Sequence, residues 1–157
     1  MTQGRTVRTS ALRSAIIFIG GALLIVGGLT GLGLILGPDE VDAVQTPEGL
    51  HPAALFALGL ALMTAEVALF TLVPIELSQR FLKRAWPGVA AGFAVYVIGI
   101  HWNNGWLGLA VSSWIWGVVT GAYLLERPVS RGRAACQAIG LKWTFWIFAM
   151  AVLTAGA

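Results

Sequence analysis

Glu66, His101 and Lys142 are ionisable side chains set inside or at the ends of long apolar runs, and Asn103–Asn104 follow close on the histidine. Ionisable groups at membrane depth cost free energy and are functional candidates by default. A carboxylate and an imidazole can move protons as general base and acid. A desolvated lysine can also serve as a base. Each residue has a plainer reading. Glu66 can stand protonated and hydrogen-bonded to a neighbouring helix. His101, beside Trp102, can mark the outer interface. Lys142 can snorkel to the cytoplasmic headgroups. Asn103–Asn104–Gly105 is a turn signal. At 1.5 Å per residue, Glu66 lies roughly 20 Å from Arg80, His101 roughly 20 Å from Pro87, and Lys142 about 12 Å from Ala134. The three meet only if their helices pack together and Lys142 reaches upward.

The elements that must position them are membrane helices. Hydrophobic residues make up 57% of the 157, charged residues only 11%, and mean hydropathy is +0.81. A soluble domain carries about 25% charged residues. Five apolar stretches read as spans, about 14–37, 52–77, 87–102, 106–125 and 134–156. In lipid each must be a helix, because its backbone has no water to bond. The expected fold is therefore all-α: one membrane domain over 1–157, a polytopic bundle of about five transmembrane helices.

Charge sets the expected orientation. Arg5, Arg8 and Arg13 precede the first span; Arg80, Lys83 and Arg84 follow the second; Arg127, Arg131 and Arg133 follow the fourth. In a five-span chain all nine fall on one side. The loop with Asp39, Glu40, Asp42 and Glu48 carries no basic residue. The positive-inside rule then puts the N-terminus in the cytoplasm and the C-terminus outside. Residues 1–51 read as an anchor helix and an acidic external loop. The first apolar run is too long for a signal-peptide core and no A-x-A site closes it, so it reads as a retained anchor. Gly27–Gly31, Gly33–Gly37 and Gly117–Gly121 have the G-x-x-x-G spacing that lets helix backbones approach, within this bundle or against another subunit. Trp114 and Trp116 lie inside the fourth span, where they pack in the core or face lipid, a partner or a flat cofactor. Cys136, the only cysteine, has no disulfide or metal partner and reads as a small apolar residue. No basic patch with interleaved aromatics points to nucleic acid.

From about residue 60 to 150 the chain resembles the CPBP family, the CAAX prenyl proteases and bacteriocin-processing enzymes also called Abi. The likeness is carried by "AIGLKWTFW" (138–146), "IELSQRF" followed by "WPGVAAGFAVYVIGIH", and "WGVVTGAYLLERPVSRGRAACQAIGL". The resemblance implies that 52–157 is a CPBP-like bundle of an intramembrane protease type. That family's motifs are Glu-Glu-x-x-x-Arg, Phe-x-x-x-His and His-x-x-x-Asn. Carried over, the first falls on Ala65–Glu66 with Phe70 for the arginine, or alternatively on Ile75–Glu76 with Arg80. The 35 residues from Glu66 to His101 favour the former. The second keeps His101 with Val97 for the phenylalanine. In the third, Lys142 replaces the histidine and Trp146 the asparagine. Protonated lysine and indole N–H are donors without a free lone pair, so no metal site is expected.

These losses lead to an expectation: a non-catalytic accessory or scaffold subunit of a larger complex in the cell inner membrane. Its partners would be membrane lipids and other integral membrane proteins. Glu66 and Lys142 would form a buried ion pair filling the old site. Two alternatives stay open. One is an active intramembrane peptidase using Glu66 and His101. The other is a pigment-binding subunit, holding a tetrapyrrole through His101 or a carotenoid.

Overall fold

The computed structural model describes residues 3–36 and 51–155, with side-chain surroundings for 10–31 and 51–152. Among the described residues there are helices and turns and no strand. The helices are α1 (Gln3–Leu36), α2 (Pro52–Leu82), α3 (Trp86–Ile100), α4 (Gly105–Glu126) and α5 (Arg131–Ala155). A 3₁₀ turn, Trp102–Asn104, joins α3 to α4. Four segments are long and apolar enough to cross a membrane: Ser10–Gly31, Pro52–Leu82, Trp102–Glu126 and Arg131–Val152. The helix expected over 87–102 forms, but α3 falls in a shorter class. Its length of about 22 Å is below the roughly 30 Å of a bilayer core. The acidic loop lies outside the described residues.

Local sequence accounts for the helix ends. At α2, the His51 side chain accepts from the Ala53 N–H at 3.2 Å, and Pro52 takes the first turn, where no N–H is needed. The far end of α2 passes the expected residue 77 to reach Leu82. It stops where Lys83 turns left-handed (φ 57°), with the Ser78 hydroxyl donating to the Arg84 carbonyl at 2.6 Å. At α5, the Ser130 hydroxyl accepts the Arg133 N–H at 3.3 Å, an N-cap.

Helix α5 packs against α4, α2 and α1, while α3 packs mainly on the second half of α2. The core is Ile25, Val67, Ile75, Ile115, Val119, Tyr123, Ala134, Ala138 and Leu141. A second cluster gathers Tyr96, Val97 and Trp116. Large apolar side chains such as Leu23, Leu62, Leu69, Ile98 and Ile147 stay exposed on the outside, the surface a hydrocarbon environment requires.

Two helices contain a widened π turn, Ala68–Leu72 in α2 and Ala94–Ile100 in α3. Pro74 explains the first, since it has no N–H to give the Phe70 carbonyl one turn back. Helix α3 comes close at that point. A Cβ on Gly92 would sit 2.1 Å from the Phe70 carbonyl oxygen, and one on Gly88 would sit 2.2 Å from that of Pro74. Gly88–Gly92 is thus the G-x-x-x-G pair that brings two backbones together.

Among the described residues, the Gly27–Gly31 and Gly117–Gly121 pairs do not bring backbones together within this bundle. A Cβ on Gly27, Gly31, Gly117 or Gly121 would meet nothing within 4 Å. Among the described residues these four glycines therefore mark no close helix approach. The surroundings of Gly33 and Gly37 lie outside the description. The glycines filled by neighbours are Gly21 under Leu141, Gly28 under Trp114, Gly59 under Trp146 and Gly140 under Phe18. Among the described residues, bulky side chains packed over these glycines, and not the Gly27–Gly31 or Gly117–Gly121 spacing, mark where α1, α2, α4 and α5 touch.

Candidate functional site

The site is built from α2, α3 and α5. Glu66 sits just before the π turn of α2, Tyr96 within the π turn of α3, and Lys142 near the middle of α5. The Lys142 side chain is 6% exposed, and its Nζ lies 3.0 Å from Glu66 Oε2. The Tyr96 hydroxyl donates to the same Oε2 at 3.1 Å, and Lys142 Nζ donates to the Tyr96 hydroxyl. The ammonium also faces the rings of Tyr96 and Phe145, at 4.7 and 5.6 Å from their centroids, a further favourable environment for a cation. Lys142 therefore does not snorkel out to the headgroups. It is held by a carboxylate, a phenol and two aromatic faces.

Among the described residues His101 touches this group through Tyr96. The two rings meet edge to face with centroids 4.7 Å apart. The imidazole Nδ1 bonds the Asn104 amide at 2.9 Å, so the turn residue after the histidine orients its ring. Among the described residues His101 Nε2 is buried with no hydrogen-bond partner. Trp146 is not part of the site. It packs over Gly59 on α2, one helical turn along α5 from Lys142.

A small cavity adjoins the triad, lined by Glu66, Val67, Thr71, Tyr96, Trp116, Val119 and Lys142. About 10 Å³ of it is open to the centre of a water-sized sphere, room for one water at most. Trp116 is 8% exposed and packs edge-on against Phe93. It forms part of the core and does not face outward to a partner or cofactor. Its neighbour Trp114 lies on α1, donating its indole N–H to the Leu24 carbonyl at 3.2 Å.

Ten residues further along α2 a second carboxylate repeats the arrangement. Glu76 accepts from the Tyr123 hydroxyl at 2.5 Å and pairs with Arg127 at 2.5 Å and Arg131 at 3.6 Å. The Glu76 hydrogen bond outweighs burial and holds the Arg127 guanidinium above its ordinary value. A third carboxylate, Glu126, is fully buried. It accepts from the Ser14 hydroxyl at 2.7 Å and pairs with Arg133 at 3.4 Å. Arg127, Arg131 and Arg133, which read from sequence as topogenic charges, each lie beside a carboxylate: Arg127 and Arg131 share Glu76, with Arg131 still 74% exposed, and Arg133 faces Glu126.

Both tyrosines of the chain thus bond a glutamate on α2. The sequence reading passed over them, although a signal was present: a phenol in an apolar run must find a polar partner when buried. Among the described residues no three His, Cys, Asp or Glu side chains gather closely enough to hold a metal ion. Chemically the triad offers one carboxylate already engaged by a cation and a phenol. Comparison with family models finds no match, and comparisons with curated proteins and with solved structures find none that is significant.

Proposed function

We propose that this chain is a non-catalytic integral membrane subunit, a scaffold or assembly factor on a CPBP-like bundle. The observation that carries the reading is the state of the Glu66 carboxylate. Its Oε2 is taken by both Lys142 and Tyr96, beside a cavity with room for one water at most. A hydrolytic carboxylate must activate a water that also reaches the substrate carbonyl. Here a side-chain cation stands in that position. The sequence resemblance supports the same reading, with Lys142 and Trp146 where the family has histidine and asparagine.

In this reading the bundle lies in the inner membrane with α3 as a short fifth span. The N-terminus is cytoplasmic and the C-terminus outside. Its partners are lipids and other integral membrane proteins. The experiment is purification from the native membrane in a mild detergent, read by mass spectrometry and by assay against prenylated and hydrophobic peptides. Stoichiometric partner subunits and no cleavage are expected. Cleavage abolished by Glu66→Ala would overturn the reading in favour of an intramembrane peptidase.

The alternative reading is a tetrapyrrole-binding subunit with His101 as ligand. Among the described residues His101 Nε2 is buried without a hydrogen-bond partner, so a tetrapyrrole metal would have to displace what covers the ring and its proton to reach it. A visible absorption band in the purified protein, lost in His101→Ala, would make this a tetrapyrrole-binding subunit.

A further inference from the structure

Of the three basic clusters at this end of the helices, the second and third are not equivalent. Arg127, Arg131 and Arg133 are paired with Glu76 or Glu126. Arg80, Lys83 and Arg84 are exposed, and among the described residues no carboxylate pairs with any of them. Three unneutralised cations therefore lie within five residues, directly at the end of the apolar segment Pro52–Leu82. Large apolar side chains flank them: Phe81 is 71% exposed, Leu82 58% and Trp86 66%. The Arg80 guanidinium stands 5.9 Å from the Phe81 ring centroid. The turn is held in shape by the left-handed Lys83 and by the Ser78 bond to the Arg84 carbonyl.

Exposed aromatics at the end of a span belong at headgroup level, where an apolar ring meets a wet, polar layer. Uncompensated cations at the same level attract anionic headgroups. A bond to the α2 carbonyl terminus would also favour a cation in the last turn, but no side chain of the three makes one here. We infer that the α2–α3 turn, Arg80 to Trp86, is a binding site for the phosphate headgroup of an anionic lipid. The cations bind the phosphate while Phe81, Leu82 and Trp86 lie against the acyl-chain boundary. The inference rests on α2 as a span and is independent of whether the bundle is catalytic.

The test uses the full chain in mild detergent. Binding of phosphatidylglycerol and of phosphatidylcholine with the same acyl chains is titrated by native mass spectrometry. Wild type should prefer phosphatidylglycerol. Arg80→Gln/Lys83→Gln/Arg84→Gln should weaken that lipid about a hundredfold, and Arg80→Gln or Arg84→Gln alone about fivefold. Arg131→Gln removes the same charge from a paired site and should change little. Equal wild-type affinity for the two lipids overturns the site. So does an unchanged triple variant, or an equal loss in Arg131→Gln, which would reduce the effect to net charge. Should the triple variant fail to fold, the single variants decide. Inorganic phosphate in millimolar excess should not displace the lipid; full displacement would mean a free-phosphate site and would also overturn the inference.

Discussion

Removing one partner of the Glu66–Lys142 pair should be costly, and the two halves should cost different amounts. Glu66→Gln leaves an ammonium whose side chain is 6% exposed with neutral partners alone, the new amide oxygen, the Tyr96 hydroxyl and two ring faces. Truncating a buried pair in this way costs about 3–5 kcal/mol, because the orphaned charge stays buried. Lys142→Met removes the charge itself and keeps most of the stem. What remains is a carboxylate 27% exposed that still accepts from Tyr96 at 3.1 Å. Its cost is the lost charge-assisted hydrogen bonds, about 1.5–3 kcal/mol. The double variant leaves no orphan and should cost less than the sum of the singles by about 0.5–3 kcal/mol, the range for residues in contact. The assay is a double-mutant cycle on reversible unfolding in mixed micelles, with helicity followed by circular dichroism. Additive losses would refute the pairing. Lys142→Met costing more than Glu66→Gln would refute the burial argument while leaving the contact intact.

Tyr96→Phe removes the hydroxyl that bridges carboxylate and ammonium, and should destabilise by about 1.5–3 kcal/mol in the same assay; no loss would mean that the two charges hold each other unaided. Gly88→Ala and Gly92→Ala should each cost well over 1 kcal/mol, since a Cβ would run into the α2 backbone. By contrast Gly27→Ala and Gly117→Ala, which face open space, should stabilise by up to about 1 kcal/mol from helix propensity. Equal penalties at all four positions in the isolated protein would show that the helices pack by another surface.

The membrane class, the all-helical fold and the main apolar segments could be read from the sequence. These follow from hydrocarbon content and from the rule that backbone in lipid must bond to itself, and neither depends on which helices are neighbours. The candidate residues were legible for the same reason, because charge stands out in an apolar run. Glu66 and Lys142 could be named as a pair since each needed a partner. What the pair rests on was not legible. Tyr96 reaches it from a third helix at a π turn, and that approach depends on Pro74 disturbing α2 and on Gly88 and Gly92 admitting α3. Such contacts belong to the packing of helices, and a periodic sequence pattern does not encode which ridge meets which groove. The same limit explains the glycines of α1 and α4. G-x-x-x-G spacing states only that an approach is sterically permitted, and the fold used the one at 88–92. It also explains the arginines. Arg127, Arg131 and Arg133 look like Arg80, Lys83 and Arg84 along the chain, yet only tertiary structure sets Glu76 and Glu126 beside the former and, among the described residues, no carboxylate beside the latter, because a Coulomb partner is decided by distance in space.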